Sequence, residues 1–453
     1  MAPKIYPIRG FPELSHSDSI TMEKLKSKIH RIYQKYDYTP LETRIVEDGS
    51  ALNQKGIDCK DSFSIYRFSE RSKYDPMTGG RDLVLRSDLT VPFARYVAEN
   101  NNSLSFPLKR YTTDKVYGCE TTKHGPVEVC QSDVDVININ GVSLAHDSEF
   151  PAIISEVFTK VFNLSRFKIR ISNRKLLEGL FQIIGLKDAG KIKQAIKVID
   201  KIEKVPEEVT RLHLEKIGVD TDSVSKLFTL FRETIMLAPL AAVSHLEKFN
   251  TENKLYCEGV SELRTVVEGV FNEGVDQEHI LVDPRVARNP DYYTGTIYNT
   301  VLLDHPELGS VCGGGRYANL VSDFSNDKHR SCPGVGVSIS LSHLFPTLIS
   351  HGYINSEPKT YCSVLVTVQN PGYLPHYQNI CRTIRRAGIN AGIYLDHKKL
   401  RAQLQYARTR GYKYVIIAND HELDDGKVTF RNMTTNEETI VEIANVVSFL
   451  QSS

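Results

Sequence analysis

The chain has 453 residues, 41% apolar and 25% charged, with a formal net charge of +1. That length exceeds one ordinary core and predicts a globular chain of two or three domains. The near-zero charge excludes a global field that would draw the chain to nucleic acid or membrane, so any such contact must come from a local patch.

In chain order, residues 22–36 place Met22, Leu25, Ile29, Ile32, Tyr33 and Tyr36 at helical spacing, with Ser19 or Thr21 as candidate caps. The extended stretch YTPLETRIVE follows. Residues 83–100 read as a strand, LVLR, running into a helix. Residues 107–118 and 128–139 read as an antiparallel strand pair, and Asp147–Phe162 as a helix. Residues 174–273 carry almost only helical patterns and predict a helical insertion in a mixed domain. Strand and Gly-rich loop return over 278–303 and 309–318, and VGVSISLSHLF reads as a strand entering a helix. The domain reading is therefore 1–345 with the insertion inside it, a linker over 346–360, and a final domain over 361–453. In that last domain strands and helices alternate, with a short KVTFRNM hairpin strand near the end, which predicts a small α/β domain with a mainly parallel sheet. It holds 11 Lys and Arg against 8 Asp and Glu. Arg382, Arg385, Arg386, Lys398, Lys399, Arg401, Arg408 and Arg410 lie on its first two helices, as either a solvated face or an RNA-facing patch.

Eight scattered cysteines form no C-x-x-C pair and predict reduced thiols in cytoplasm-like conditions. No apolar run nears the roughly 18 residues that span a bilayer, and MAPKIYPIRGFPEL has no signal-peptide core. Membrane attachment is not expected.

Four segments carry chemistry. In QSDVDV, alternation puts Gln131, Asp133 and Asp135 on one strand face, with Val134 and Val136 on the other. Two carboxylates and an amide are expensive to bury without a partner. They read either as an exposed sheet face or as a site for an amine or imidazole. RNPDYYTGTIYNT brings one Arg beside paired tyrosines, suited to gripping a carboxylate or phosphate and orienting a ligand. GSVCGGGRYANL suits close approach of a ligand or a strand and matches neither phosphate-loop nor dinucleotide spacing. In RSDLTVPFARY, Asp88 and Thr90 share a face if extended. Cys119, His124 and Cys130 fit no standard zinc spacing, so no metal site is expected.

Together these segments resemble the histidyl-tRNA synthetases, class II enzymes that activate histidine with ATP and load it onto tRNA. The resemblance runs through IRGF, LRSDLTVPFARYVA, ARNPDYYTG (with Asn289 and Pro290 for the usual Gly-Leu), GSVCGGGRYANLV, RKLLEGLFQIIGL, IDKIEK and LRAQLQYARTRGYKYVIIANDHEL. It implies an α+β fold: an antiparallel-sheet catalytic domain with a helical insertion, and a C-terminal α/β anticodon-binding-like domain. It implies that Asp88 and Thr90 hold the α-amino group of L-histidine with Gln131 beside them. Asp135 and Tyr293 would bond the imidazole, Tyr292 and Tyr317 would line the pocket, and Arg288 would be the catalytic arginine. It further implies a cytoplasmic homodimer, tRNA contact through the C-terminal domain, and ATP with Mg if the chain is catalytic.

The ATP half departs from the family pattern. The motif 1 proline falls at Arg44, the motif 2 arginine at Gly118, and the motif 3 arginine at His343, with the motif 3 glycine at Ser340. The adenine-stacking aromatic falls at Val129. The arginine-rich loop is TTKHGPVE, where Glu120 keeps its family character and Lys123 and His124 are the basic residues. Arg316 joins Gly118, Glu120, Lys123, His124, Val129 and His343 as the remnants of the nucleotide site. Loss of one preorganised cation at a phosphoryl centre costs roughly 10²–10³ in rate. The expectation is a diverged paralogue with degenerate motifs 1, 2 and 3 that keeps a histidine pocket for sensing, regulation or altered histidine chemistry. A working histidine–tRNA ligase with an unusual ATP site and a non-catalytic RNA-binding module are the alternatives.

Overall fold

The computed structural model describes residues 6–49, 63–65, 83–118, 127–249, 252–288, 292–324 and 331–452. Two compact units emerge: Met1–Pro12 with Lys26–Ile354, and Glu13–Leu25 with Asn355–Ser453. Among the described residues no helix is long and apolar enough to cross a membrane.

Among the described residues ten strands lie in the first unit: β1 Thr39–Pro40, β2 Val46–Asp48, β3 Leu83–Leu85, β4 Leu108–Tyr117, β5 Glu128–Ile137, β6 Phe167–Asn173, β7 Ile280–Val282, β8 Tyr293–Leu302, β9 Ser310–Tyr317 and β10 Gly334–Ser340. Eight of them form one sheet in the order β1-β4-β5-β10-β9-β8-β6-β7. The six inner strands pair antiparallel, and only the outer β1 and β7 run parallel to their neighbours. The expected strand pair over 107–118 and 128–139 is the β4–β5 hairpin.

One face of this sheet is a conventional core. Tyr33, Val134, Val136, Ile169, Ile171, Tyr298, Val335 and Val337 are buried there. Helices His16–Lys35 and Leu144–Lys160 contribute to it: the Tyr33 hydroxyl meets Ser132 Oγ at 3.1 Å, and the Tyr298 hydroxyl donates to the Asp147 carbonyl at 2.7 Å. The first helix starts a turn before its expected caps. Ser15 is the cap, its Oγ accepting from the Asp18 N–H at 3.2 Å, whereas Thr21 donates back to the Ser17 carbonyl.

Residues 174–273 form six helices among the described residues, from Arg174–Ile183 to Lys254–Asn272. Asn173, Asp188, Asp220 and Asn253 each accept an N–H of the first turn of the helix they precede, satisfying donors that a helix start leaves free.

Two expectations change. The linker placed at 346–360 begins inside helix Leu341–Ser350, which continues through Pro346, and the units divide at Ile354. The C-terminal sheet is mixed rather than mainly parallel. It is built of β11 Val364–Val366, β12 Ala391–Ile393, β13 Tyr414–Ile417, β14 Lys427–Asn432 and β15 Glu438–Glu442 in the order β12-β11-β13-β14-β15. β12, β11 and β13 are parallel, but a hairpin adds β14 and β15 antiparallel. Val364, Val366, Tyr377, Ile380, Ile384, Ile416 and Phe430 form its core. The basic side chains of its helices are exposed except Arg410, which is half-buried.

Candidate functional site

The second face of the large sheet holds the chemistry, and the register says which residues share it. One cross-strand row runs Thr112, Asp133, Ser338, Gly313, Asn299, Arg170 from β4 to β6. The next runs Arg110, Asp135, Gly336, Gly315, Ile297, Ser172. A third includes Gly334, Tyr317 and Tyr293. Glycines and serines thus fill the middle strands where large side chains would otherwise stand.

Those glycines make the floor. A Cβ on Gly313 would coincide with the guanidinium of Arg288. On Gly336 it would collide with the Asp135 carboxylate. On Gly334 it would meet the Tyr317 ring at 2.5 Å, and on Gly315 the Tyr293 ring at 2.9 Å. The sheet omits its own side chains where those of Arg288, Asp135, Tyr317 and Tyr293 lie against it. Arg288 reaches its seat from a loop with φ +39°, a left-handed backbone that costs a non-glycine residue roughly 1–3 kcal/mol. Its Nη1 also donates to Ser310 Oγ at 3.2 Å.

The carboxylates are deeply placed. Asp133 and Asp135 are each 2% exposed. Burial pushes both carboxyls up, the pair titrating in the region of about 6 to 7, while the nearby Arg110 guanidinium opposes the rise. Arg110, 1% exposed, sets its Nη2 2.8 Å from Asp135 Oδ2 and donates to the Leu89 carbonyl at 3.0 Å. It also lies over the Phe93 ring at 4.4 Å. The Tyr317 hydroxyl stands 3.4 Å from Asp135 Oδ1. Asp133 Oδ1 and Asp135 Oδ2 are both buried without a hydrogen-bond partner among the described residues, the latter being met by Arg110 as an ion pair, and Ser338 acts on Asp133 from the neighbouring strand.

Asp88 joins the same electrostatic neighbourhood, feeling Arg110 and acting on Asp135 and Tyr292. Its Oδ1 accepts the Val91 N–H at 2.7 Å, so it also secures the start of helix Thr90–Asn100. Burial raises its carboxyl. The Tyr292 and Tyr293 rings lie 4.7 Å apart, tilted by 58°, and Tyr292 meets Tyr317 edge-on at 6.1 Å. Gln131 lies one step along the same strand face, between Asp114 and Ser340.

Arg316 is not with them. Its neighbour Tyr317 faces the site, so alternation sends Arg316 to the opposite face. There it is ion-paired with the buried Asp147 and donates to the Val142 and Ser143 carbonyls at 2.9 and 3.1 Å. The expectation that Arg316 is a remnant of the nucleotide site is therefore replaced by a structural role. Arg110 is the residue the sequence reading missed. The hairpin register alone pairs it with Asp135.

At the hairpin end, Gly118 closes β4 with φ +82° and donates its N–H to the Val127 carbonyl at 3.0 Å. Val129 is half-buried on the site face, opposite Val116. His343 is exposed on the first turn of helix Leu341–Ser350. Arg44 holds Glu47 at 3.3 Å, and Arg95 holds it at 2.9 Å from the other side. Glu120, Lys123, His124 and Cys119 lie outside the described residues, as do Asn289 and Pro290. Among the described residues no group of three or more His, Cys, Asp or Glu side chains is placed to hold a metal ion.

Comparison with known proteins gives a consistent result. The family model described as histidyl-tRNA synthetase matches residues 10–344, and the anticodon binding domain matches residues 362–453. The chain is 35% identical over 446 residues to a histidine–tRNA ligase of Nostoc sp. PCC 7120, covering 96% of this chain and 95% of that one. It is 33% identical over 452 residues to a histidine–tRNA ligase of Clostridium tetani, covering 100% and 98%. The crystal structure of histidyl-tRNA synthetase from Nostoc sp. PCC 7120 superposes with a TM-score of 0.87 at 32% identity over 99% of both chains. A Bacillus halodurans structure titled as an ATP phosphoribosyltransferase regulatory subunit/histidyl-tRNA synthetase shares the fold, with a TM-score of 0.73 at 18% identity over 91% and 98%.

Proposed function

The chain belongs to the histidyl-tRNA synthetase family, and on that premise we propose that it binds L-histidine in the glycine-floored pocket but forms histidyl adenylate weakly or not at all. Its role would then be histidine sensing, regulation or altered histidine chemistry. The observation that carries this is an imbalance within one sheet face. The amino-acid end is built in depth: Arg288 seated on Gly313, Asp135 held by Arg110, and three tyrosines around them. The nucleotide end offers Gly118, Val129 and an exposed His343 where the family pattern has two arginines and an aromatic ring.

Under this reading Arg288 receives the carboxylate, and Asp135 with Tyr293 bonds the imidazole. Arg110 acts through Asp135, holding its orientation and opposing its protonation. The tRNA contact would run through the C-terminal unit, supported by the match to the anticodon binding domain. The homodimer and the cytoplasmic setting rest on the resemblance.

A working histidine–tRNA ligase is the second reading. Its support is the near full-length similarity to proteins carrying that name. Histidine- and ATP-dependent pyrophosphate exchange, run beside calorimetric titration with histidine, separates the two. Tight histidine binding without exchange is the expected result. Robust exchange would overturn the first reading in favour of the second, and the absence of both binding and exchange would leave RNA binding alone.

A further inference from the structure

The left-handed backbone of Arg288 persists only where its surroundings over-determine it. The segment before it, residues 283–287, supplies that constraint. Asp283 follows β7 directly and is fully buried. Its Oδ1 accepts the Arg285 N–H at 3.0 Å and Arg285 Nε at 2.9 Å, and its Oδ2 accepts Arg285 Nη2 at 2.8 Å. The Val286 N–H donates to the Asp283 carbonyl at 3.1 Å, closing a turn. The Ala287 carbonyl, one residue before Arg288, accepts from Arg174 Nη1 at 3.4 Å.

Asp283 also faces the sheet. Arg170 of β6, 5% exposed, sets Nε 2.8 Å and Nη2 2.7 Å from Asp283 Oδ2. Arg170 ends the cross-strand row that runs through Asn299 to Gly313, where the Arg288 guanidinium lies. Two guanidinium groups thus share one buried carboxylate, which leaves a positive charge in excess. An uncompensated charge at a buried position is costly, so a fourth group is needed. It comes from the helical insertion. Glu203, in the turns after helix Ala189–Ile199, accepts Arg170 Nη1 and Nη2 at 2.7 Å each and stands 3.5 Å from Arg285 Nη2. With Glu203 in place the charges of Arg170, Arg285, Asp283 and Glu203 cancel.

We propose that Glu203 is a positioning residue for Arg288, acting through Arg170, Asp283 and Arg285. The arginine that reads the ligand carboxylate is then set correctly only while the helical insertion is docked at this corner of the sheet. The inference rests on the histidine-pocket reading above, in which Arg288 receives the carboxylate. Glu203 is the most exposed member of the cluster, at 51% for its side chain against 23% for Arg285 and 5% for Arg170. It is therefore the member whose charge can be removed with the least disturbance to the packing beneath it.

The test uses the full-length protein and two ligands, L-histidine and histamine, which lacks the carboxylate. Each is titrated into the wild type and Glu203→Gln, with thermal unfolding measured alongside to confirm that the variant is folded. The variant is expected to weaken L-histidine about three- to tenfold and histamine by less than about twofold. Unchanged histidine affinity, or equal losses for both ligands, would overturn the positioning role and leave the pocket reading standing. Failure of the wild type to bind histidine would sink the pocket reading and this inference with it.

A double-mutant cycle distinguishes positioning from a general loosening of the insertion. Arg288→Ala deletes the group on which Glu203 acts. In that background Glu203→Gln should change histidine affinity by less than about twofold, because the path ends at the missing guanidinium. A loss as large as in the wild-type background would overturn the proposal, since Glu203 would then reach the ligand by another route.

Discussion

The guanidinium of Arg288 occupies the space that a side chain at position 313 would fill, so Gly313 is the seat of that arginine. The two residues lie 25 positions apart in the sequence, yet one is the condition for the other. Gly313→Ala is expected to expel the guanidinium and weaken histidine binding roughly 10- to 100-fold, the range of a lost charge-assisted contact. The unfolding midpoint should change little, because the arginine rather than the sheet gives way. Calorimetry beside thermal unfolding checks this. Unaltered histidine affinity would mean that Arg288 does not act from this position.

Arg316 tests the opposite case. It is paired with the fully buried Asp147 behind the sheet. Removing one partner of a buried pair costs about 3–5 kcal/mol, because the other charge is left without compensation. Arg316→Met is therefore expected to lower stability in chemical denaturation by that order. If it leaves stability untouched and instead changes nucleotide binding, the structural role assigned to Arg316 is wrong.

On the proposed reading, position 118 is where the family's motif 2 arginine would be restored, and the backbone argues against a simple rescue. Gly118 has φ +82°, where an L side chain costs roughly 1–2 kcal/mol. Gly118→Arg should destabilise the hairpin end and, with Val129 and His343 unchanged, leave pyrophosphate exchange near its starting level. Recovery of exchange without loss of stability would show that the arginine alone was missing.

The two floor carboxylates set a pH dependence whose sign can be worked out. A carboxyl raised by burial binds more protons in the folded state than in the unfolded state. Its contribution to stability is therefore greatest at low pH and falls as pH rises. For Asp133 the window runs from the ordinary value of 3.8 to about 7. Glu149, Glu156 and Asp283, whose carboxyls are held low, contribute with the opposite sign, so the comparison must be differential. Asp133→Asn should match the wild type in stability near the acid end and become relatively more stable across that window. A constant difference at all pH values would count against a raised carboxyl.

Much of this molecule is legible without coordinates, and the exceptions have physical causes. Period-2 alternation located the carboxylate face of β5, because a strand has only two faces to choose between. The same rule applied to GGGRY would have separated Tyr317 from Arg316, since adjacent residues cannot both face the site. Arg110 required the hairpin register as well, which depends on where the turn falls. The glycine triplet announced a close approach. That the approaching groups are the chain's own Arg288 and Tyr293 depends on folding distant segments together, which local patterns do not encode. The φ of Gly118 is likewise invisible to spacing. The mixed C-terminal sheet escaped the alternation argument because a terminal hairpin adds strands without helices between them.

The glycine floor has a thermodynamic corollary. A glycine within a strand is about 0.5–1 kcal/mol worse than alanine, so Gly313, Gly315, Gly334 and Gly336 together forgo about 2–4 kcal/mol. That is a sizeable share of the roughly 5–15 kcal/mol by which a typical domain stays folded. A chain with no small molecule to hold would become sturdier by filling those positions and repacking around them. This one keeps the hollow, and its thermal robustness is accordingly expected to rise when the ligand that belongs there is supplied.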